Sequence, residues 1–532
     1  MSIPLRPVAL LAAWAVLAPA APTQHPGLPD AFDAYVARVQ KAFAIPGLCV
    51  AVVRNGEAVL HKGYGTRNLG KDEPVDGKTL FGIASNSKVF TASALGLLVD
   101  EGKVAWDAPV QRYLPAFQLA DPYVSRELTV RDLLVHRSGL GLGAGDLLWW
   151  PGSTYDRKEI VRRLRHVPLA TSFRSTYAYD NVLYLVAGEL IEAVSGQTWE
   201  QFVAARILQP VGMTHATPSY PEGHANVSGT HAIVDGTLQA VAPDTSSNTN
   251  PAGGIHASAE DMARWLQTLL ARGRLASGER LFSAAVAREL TAQVTPMPIR
   301  DPDPVFAELR PNFSGYALGL RVHDYRGRKV ITHTGGLPGF VSRVLFVPEA
   351  EFGVAVLTNQ ESRSGVDAIV YHLLDHALGV RVLGEEGTPA ASARDWLAIF
   401  EQESQRHASE FAEAEAKAAN ERHGQSVPSL PLAQYAGTYR DRWYGDVMIE
   451  PADGRLRIRF VPTPDLEGHL EHWQHDTFVA RWNKRELRAD AFVTFALTPH
   501  GTVEAIKMVA ASPAVYFSFD FHHLDLRPVS RR

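Results

Sequence analysis

A serine and a lysine three residues apart stand at the start of an apolar stretch, residues 81–92. Ser85 and Lys88 form the pattern Ser-x-x-Lys, and residues three apart share one face of a helix. A hydroxyl is a weak nucleophile until a base removes its proton. A lysine can be that base if burial and the positive end of a helix lower its pKa. The pair therefore predicts a Ser85 nucleophile with Lys88 as a candidate base.

A tyrosine and an asparagine follow in the pattern Tyr-x-Asn, just before a predicted helix at 182–194. The phenol of Tyr179 can relay a proton, and the amide of Asn181 can hold a substrate carbonyl. The intervening Asp180 is predicted to point away from the cleft. This pair is a second candidate part of the same site.

The third pattern is His333-Thr334-Gly335-Gly336, at the end of a predicted strand. Glycines allow a backbone to approach a substrate closely and to aim N–H groups at a developing oxyanion. An unperturbed imidazole has a pKa of ~6.5, so His333 is expected to be largely neutral at pH 7. It could donate one hydrogen bond to a substrate but would give little charge attraction.

The elements that must position these residues form an α+β pattern. Apolar runs at 48–53 and 58–61 flank Asn55-Gly56, a hairpin signal, and three further strands are predicted at 330–332, 341–347 and 353–358. They predict one antiparallel sheet of about five strands. The middle, roughly residues 85–300, is predicted to be a helical subdomain inserted between them. Its helices are expected at 131–136, 182–194, 199–208 and 259–271, with terminal helices near 32–43 and 364–378.

The composition changes near residue 380. Residues 381–431 predict a helix followed by a Pro/Ser linker. Residues 432–532 carry short alternating strands, which predict a small antiparallel β-barrel that folds as an independent unit. These strands are expected at 447–449, 456–460, 478–481, 492–497, 505–509 and 515–521.

Composition and charge narrow the classes of function. The chain has 532 residues, enough for more than one domain, and a net charge of -5, which gives no electrostatic support for nucleic-acid binding. The single cysteine, Cys49, excludes an intrachain disulfide and is predicted to be a buried strand thiol. Residues 1–20 read as a secretory signal peptide, which predicts a periplasmic or secreted protein with no membrane span after cleavage.

Taken together, the three patterns resemble the β-lactamase-related serine hydrolases. This superfamily includes class C β-lactamases, penicillin-binding peptidases, D-aminopeptidases and family VIII-like esterases. The order of the motifs matches, and the resemblance covers roughly residues 30–380. It implies a β-lactamase/transpeptidase-like domain at 28–380. Residues 432–532 resemble the lipocalin-like module that follows some members, notably around 435–439 and 472–478.

The resemblance also implies a role for each residue. Ser85 would be acylated, and Lys88 and Tyr179 would share its proton, with the identity of the base left open. The backbone N–H groups of Ser85 and Gly336 would form the oxyanion hole. The substrate-binding residues would be Asn181, His333, Thr334 and Gly335. No cofactor or metal is implied.

The expected substrates are short peptides or amino-acid amides, including D-configured ones, or carboxyl esters. β-Lactamases carry a lysine where this chain has His333. Substrates without a carboxylate at that point should therefore be tolerated, and β-lactams should be handled poorly. The partner is a small molecule or short peptide, and the oligomeric state is left open.

Two alternative functions remain open. One is a class C-like β-lactamase or penicillin-binding protein, and the other is a non-catalytic ligand-binding protein on the same fold. No Gly-x-Ser-x-Gly elbow and no His-Glu-x-x-His motif occur, which excludes an α/β-hydrolase and a zincin. His469, His472 and His475 would alternate faces on strands, which favours surface or barrel-lining histidines over a metal site. His136 is interpreted as fixing a turn rather than as a catalytic group.

Overall fold

The computed structural model of this chain describes residues 27–383 and 393–529. The predicted signal peptide, residues 1–20, lies outside the described residues, as does part of the predicted linker at 381–431. Across these two described ranges, no helix combines the length and apolar character needed to cross a membrane.

The helices of the described residues are α1 (Phe32–Ala42), α2 (Lys88–Asp100), α3 (Pro122–Glu127), α4 (Arg157–Arg163), α5 (Val182–Ser195), α6 (Trp199–Val203), α7 (Gln209–Val211), α8 (Asn250–Gly253), α9 (Ala259–Leu270), α10 (Ala284–Thr291), α11 (Arg363–Ala377) and α12 (Trp396–Asn420). The strands before residue 380 are β1 (Gly47–Arg54), β2 (Glu57–Gly65), β3 (Phe81–Gly82), β4 (Thr230–Val234), β5 (Thr237–Val241), β6 (His256–Ala257), β7 (Thr295–Pro296), β8 (Ser314–Tyr316), β9 (Arg321–Tyr325), β10 (Arg328–Leu337), β11 (Phe340–Val347) and β12 (Phe352–Thr358). The strands after it are β13 (Gly437–Asp441), β14 (Gly445–Ala452), β15 (Arg455–Phe460), β16 (Glu467–Gln474), β17 (Thr477–Trp482), β18 (Ala491–Leu497), β19 (Val503–Ala510) and β20 (Arg527–Pro528).

The central sheet is antiparallel and has eight strands, in the order β2-β1-β12-β11-β10-β9-β8-β7. The expected five strands are the contiguous run from β2 to β10, so the α+β class is confirmed and the strand count is corrected from five to eight. The three strands missed from the sequence, β7, β8 and β9, have two, three and five residues. Runs this short carry too few alternations to be recognised.

Alternate residues of β1 enter two different cores. Cys49, Ala51 and Val53 pack into the core on the side of the helical subdomain, whereas Val50 and Val52 pack into the core beneath α1 and α11. Cys49 is fully buried, as expected, and burial raises the pKa of its thiol. Strands covered on both faces read as continuous apolar runs, which explains the pattern at 48–53.

Two expected helices of the helical subdomain are shorter in the structure. The helix expected at 199–208 is α-helical over Trp199–Val203 and continues as a π-helix over Ala204–Leu208. Residues 131–136 do not form an α-helix; a 3-10 turn covers Arg131–Leu134. The buried Asp132 carboxylate accepts a hydrogen bond from the Thr129 N–H at 3.0 Å, and both Arg137 and Arg174 donate to it. The apolar spacing of this segment therefore reflects a tight turn anchored by a buried carboxylate.

The C-terminal strands form a nearly closed antiparallel barrel, in the order β19-β18-β17-β16-β15-β14-β13-β20. The bridge between Ile506 and Leu526 brings its two ends together. This confirms the expected barrel.

Residues 515–521, expected to be a strand, instead form an irregular segment. The sequence there alternates aromatic and polar residues, but the polar Ser518 and Asp520 are fully buried, as is the aromatic Phe521. Ser518 and Asp520 form hydrogen bonds with residues 145–147 of the expected catalytic domain, residues 28–380. The alternation therefore records an interface between domains rather than a strand with one solvated face. We refer to residues 515–521 as the barrel arm.

The barrel does not stand apart from the catalytic domain. Buried side chains of the two domains form one continuous apolar cluster. The Trp150 ring lies 6.3 Å from the ring of Phe519 in the barrel arm, and the Tyr155 hydroxyl donates to the Tyr444 carbonyl at 2.8 Å. The barrel therefore shares a core with the catalytic domain, and its expected independent folding stays a prediction.

Candidate active site

Ser85 lies on a tight turn between β3 and α2. Ala84, directly before it, has a φ of 49°, a left-handed conformation that costs a non-glycine residue energy. Residues 84–87 form one 3-10 turn, and α2 begins at Lys88. In a 3-10 turn the side chains at positions i and i+3 eclipse each other, which places Lys88 directly beside Ser85.

Strand β10 approaches this turn closely. The Ser342 hydroxyl, on neighbouring β11, donates to the Ile83 carbonyl at 2.7 Å and accepts from the Asn86 amide at 2.8 Å. A Cβ at Gly335 would lie 2.3 Å from the Ile83 carbonyl oxygen, so only glycine fits there. The glycine thus allows the edge of the sheet to lie against the turn that carries Ser85.

The Lys88 side chain is fully buried and its Nζ makes three hydrogen bonds. They join it to Ser85 Oγ at 3.1 Å, to Asn181 Oδ1 at 2.7 Å and to the Ala252 carbonyl at 2.9 Å. Burial lowers the pKa of Lys88 to about 7. An amine that is partly neutral near pH 7 is thus in hydrogen-bond contact with the serine hydroxyl.

Two carboxylates oppose the effect of burial on Lys88. The negative charges of Asp146 and Asp180 both raise its pKa. Asp180 is fully buried, and its Oδ1 accepts from the Leu183 N–H at the start of α5. Its side chain therefore caps a helix.

The Tyr179 hydroxyl lies beside Ser85, and a hydrogen bond between the two lowers the phenol pKa. Burial outweighs that effect and holds the pKa of Tyr179 well above its ordinary value. The phenol is therefore protonated at neutral pH. Lys88 Nζ lies 5.0 Å from the centre of its ring, within the range of a cation–π contact.

Asn181 connects Lys88 to a carboxylate that no sequence motif marked. Its Oδ1 accepts from Lys88, and its Nδ2 donates to Asp146 Oδ2 at 2.8 Å. In the structure the amide of Asn181 bridges Lys88 and Asp146. Its expected role in orienting the substrate stays a prediction.

Asp146 is the functional residue that the sequence motifs missed. It is fully buried, and it accepts hydrogen bonds from Trp149 Nε1, from Asn181 Nδ2 and from Ser518 Oγ of the barrel arm. Burial raises its pKa to about 8, against the lowering effect of these bonds. Asp146 lies in an Asp-Leu-Leu-Trp-Trp segment without any of the three motifs, so no local pattern pointed to it.

Both nitrogens of His333 are used within the protein. Nδ1 lies 2.7 Å from the Thr334 carbonyl and Nε2 lies 2.8 Å from the Tyr316 hydroxyl. Because a carbonyl can only accept, Nδ1 carries the proton and Nε2 accepts from Tyr316. Burial and the charge of Lys88 hold the pKa of His333 well below its ordinary value, so the ring is neutral. The expected hydrogen bond from His333 to a substrate would require one of these contacts to break.

His136 supports Tyr179 from behind. Its Nδ1 accepts from the Asp180 N–H at 3.2 Å, and its carbonyl accepts from the Ala178 N–H at 3.0 Å. Its ring is fully buried, with its centre 4.3 Å from that of Tyr179. These contacts match the interpretation of His136 as a residue that fixes a turn.

The three barrel histidines make local contacts. His469 Nε2 lies 3.3 Å from a Glu471 oxygen, and His472 Nε2 lies 2.9 Å from the His475 carbonyl. Among the residues that the structure describes, no group of three or more His, Cys, Asp or Glu side chains is arranged to hold a metal ion.

Ser85 opens onto a cavity of about 1440 Å³ between the two domains. Its lining includes Ser85, Trp150, Tyr177, Tyr179, Arg321, His333, Thr334, Gly335 and Gly336 from the catalytic domain, and Trp473, Arg481, Phe492, Tyr516, Phe517 and Phe519 from the barrel. The predicted oxyanion-hole residues Ser85 and Gly336 thus border the same space. Lys88 and Asn181 are buried behind it.

Arg321 is a cation in this lining that the sequence motifs also missed. Within the described part of the chain, its guanidinium has no hydrogen-bonded carboxylate partner. Burial, together with the nearby charges of Arg363 and Arg343, lowers its pKa, but a guanidinium keeps its proton. Arg363 also lines the cavity. A cation without a carboxylate partner among the described residues therefore lines the same cavity as His333 and Thr334.

Comparisons with known proteins agree with this arrangement. The family model described as Beta-lactamase matches residues 32–379, and a model described as a domain of unknown function (DUF3471) matches residues 421–528. The unguisins hydrolase ungD of Aspergillus violaceofuscus is 28% identical over 517 residues, covering 89% of this chain and 87% of that protein.

Two solved structures share the fold. The octameric penicillin-binding protein homologue from Pyrococcus abyssi has a TM-score of 0.57 and 20% identity, covering 90% of this chain and 97% of that one. The crystal structure of SurE with D-Leu has a TM-score of 0.50 and 20% identity, covering 94% of this chain and 99% of that one. With the family match over residues 32–379, the motifs around Ser85 lead to one conclusion: this chain belongs to the beta-lactamase family, and it is a serine hydrolase.

Proposed function

We propose that this enzyme hydrolyses amide bonds of short peptides through a Ser85 acyl-enzyme, with Lys88 as the base. The observation that carries the proposal is the set of acceptors around Lys88 Nζ. Asn181 Oδ1 and the Ala252 carbonyl can only accept, so a neutral Lys88 gives its two N–H groups to them. The remaining lone pair then points at Ser85 Oγ, whose hydroxyl becomes the donor.

The protonation states support this division of roles. Lys88, with a pKa of about 7, is partly neutral at neutral pH and can take the Ser85 proton. Tyr179 is a neutral phenol whose pKa is raised by burial, so it suits the role of acid. We assign Lys88 as the base and Tyr179 as the donor to the leaving group.

The reaction follows from these assignments. Ser85 Oγ transfers its proton to Lys88 Nζ as it attacks the substrate carbonyl carbon, and the carbonyl oxygen becomes an oxyanion held by the N–H groups of Ser85 and Gly336. As the C–N bond breaks, Tyr179 protonates the leaving nitrogen and recovers a proton from Lys88. Water then attacks the ester carbon, with the same groups acting in reverse.

The cavity favours a peptide over a small ester. Its volume of about 1440 Å³ exceeds the roughly 300–1,000 Å³ of sites for drug-sized ligands. The guanidinium of Arg321 suits a substrate carboxylate, because it could form a bidentate pair in a partly desolvated space. This revises the expectation from His333 alone: the imidazole is neutral, but Arg321 offers the charge that a terminal carboxylate needs.

The name of the A. violaceofuscus relative, a hydrolase, supports hydrolysis, and the D-Leu present with SurE in its crystal structure makes D-configured residues reasonable to test. Purified enzyme should be compared on a short D-amino-acid peptide with a free carboxyl terminus, the same peptide as its C-terminal amide, a short-chain ester and a cephalosporin. We expect the highest kcat/KM for the peptide acid. A cephalosporin value above the others and within the ~10⁴–10⁸ M⁻¹s⁻¹ enzyme range would favour a β-lactamase instead.

A location for this activity is proposed on the sequence alone. We propose a periplasmic or secreted enzyme, on the basis of residues 1–20. Fractionation of cells that express the full chain, followed by intact-mass analysis, tests this. Recovery of the uncleaved chain from the cytosol would contradict it.

A further inference from the structure

The barrel arm reaches the hydrogen-bond network of Lys88. Ser518 Oγ donates to Asp146 Oδ2 at 2.7 Å, and both residues are fully buried. Two residues later, the Asp520 carboxylate accepts from the backbone N–H groups of Gly145 at 2.8 Å and Leu147 at 3.0 Å. The arm thus holds Asp146 by its side chain and by the backbone on both sides of it.

A continuous series of hydrogen bonds runs from this contact to the nucleophile. Asp146 Oδ2 accepts from Asn181 Nδ2 at 2.8 Å, Asn181 Oδ1 accepts from Lys88 Nζ at 2.7 Å, and Lys88 Nζ lies 3.1 Å from Ser85 Oγ. Each member apart from Ser85 is buried. A displacement of Asp146 is therefore transmitted to the amine that activates Ser85.

We propose that the C-terminal barrel is a working part of the catalytic centre: Ser518 and Asp520 are positioning residues that hold Asp146 and, through Asn181, hold Lys88 at Ser85. This inference rests on the proposed function, because it requires Lys88 to act as the base. The barrel thus does more than border the substrate cavity, since without it the base loses part of its support.

The charges around these hydrogen bonds predict an effect on the pKa of Lys88, in addition to any effect on stability. The hydrogen bond from Ser518 lowers the pKa of Asp146, whereas the negative charge of Asp520 raises it. The negative charge of Asp146 in turn raises the pKa of Lys88. The titratable groups that face Lys88 are Asp146, Asp180, His136, His333, Tyr179 and Tyr184, and those that face Asp146 are Lys88, Asp520 and Tyr516.

The two barrel residues should therefore act differently on the pKa of Lys88. Burial already holds the pKa of Asp146 at about 8, so this carboxyl is mostly protonated where Lys88, with a pKa of about 7, titrates. Ser518→Ala favours that protonated form further and should leave the pKa of Lys88 nearly unchanged. In Asp520→Asn, a repelling charge disappears, Asp146 stays ionised to lower pH, and the pKa of Lys88 rises. A merely structural contact would not produce an upward shift in Asp520→Asn alone.

The test is the second-order rate constant for labelling by a fluorophosphonate probe, measured on the full chain from pH 5 to 9. Labelling should rise with pH as Lys88 loses its proton. Ser518→Ala should label on the order of tenfold more slowly at its plateau, with its midpoint close to that of the wild type. Asp520→Asn should also label more slowly, with its midpoint at higher pH. Thr463→Val is the matched control, because it removes another buried barrel hydroxyl, one that accepts from Tyr444 instead of touching Asp146.

The outcomes separate this inference from the proposed function. If the wild type is labelled and Ser85→Ala is not, the assignment of Ser85 as the nucleophile is supported. A plateau rate of Ser518→Ala equal to that of Thr463→Val, or a midpoint of Asp520→Asn equal to that of Thr463→Val, would then overturn the role of the barrel. If the wild type itself is not labelled, the proposed function fails first. If Ser518→Ala fails to fold, the test depends on Asp520→Asn, whose labelling midpoint should lie at higher pH than that of the wild type.

Discussion

The α-carbon of Gly335 faces the carbonyl oxygen of Ile83 so closely that an added Cβ would lie 2.3 Å from it. This contact seats strand β10 on the turn that carries Ser85. A methyl group there would have to push apart two segments of backbone, neither of which can rotate away as a side chain could.

Gly335→Ala should therefore lower both stability and activity. Overpacking of a tight contact costs typically about 1–3 kcal/mol, and displacement of β10 would also move Gly336 away from Ser85. Thermal unfolding and fluorophosphonate labelling measure the two effects. Gly336→Ala is the control for stability, because a Cβ at that position meets nothing within 4 Å. Equal melting temperatures for the two variants would argue against the tight contact.

The pH dependence of turnover should follow Lys88. Burial lowers the pKa of this lysine to about 7, and the base must be neutral to act. The kcat/KM should therefore increase as pH rises through about 7 and should level off above it. Lys88→Arg should be almost inactive at every pH, because a guanidinium does not lose its proton. A Lys88→Arg enzyme that kept substantial activity would exclude Lys88 as the base.

Some residues of this site could be predicted from the sequence, and others could not. Ser85, Lys88, Tyr179 and His333 lie in short motifs, because the chemistry fixes both their types and their local spacing. Asp146 could not be recognised, since its role depends on partners at 181 and 518 that only the tertiary structure brings together. The barrel arm was expected to be a strand because alternation looks the same whether polar residues face water or another domain.

The strands of the central sheet likewise could be predicted from the sequence only in part. The five strands found from sequence have apolar runs long enough to show their pattern, whereas Ser314–Tyr316 is a strand only because its neighbours in the sheet pair with it. Arg321 is the first residue of the next strand, β9. Its position in the cavity lining could therefore not be predicted without the pairing of these short strands.

Arg321 should determine the preference for a carboxylate. A hydrogen bond to a charged group contributes about 1.5–3 kcal/mol, so Arg321→Ala should lower kcat/KM for a peptide acid roughly 10- to 150-fold. The same peptide with an amidated terminus is the control and should change little. Arg321→Lys should recover part of the loss, since a lysine keeps the charge but not the bidentate geometry. Equal losses on both peptides would contradict carboxylate recognition.

The close contact between the barrel arm and the catalytic domain can be tested at Gly143. A Cβ there would lie 2.8 Å from the Phe517 carbonyl oxygen, and the residue has a φ of 67°. Gly143→Ala should lower the melting temperature and the labelling rate together. Gly196→Ala is matched, because its φ is 73° but nothing lies within 4 Å of its added Cβ. Both variants carry the backbone strain, so any additional loss in Gly143→Ala measures the interface.

The assignment of Ser85 as the nucleophile underlies every step above, and locating a trapped adduct tests it. The full-length enzyme is treated with a fluorophosphonate, digested, and the modified residue identified by mass spectrometry. We predict one adduct, on Ser85, that is absent from Ser85→Ala although this variant keeps the melting temperature of the wild type. An adduct on Ser87 or Ser138, or labelling that persists in Ser85→Ala, would contradict the assignment.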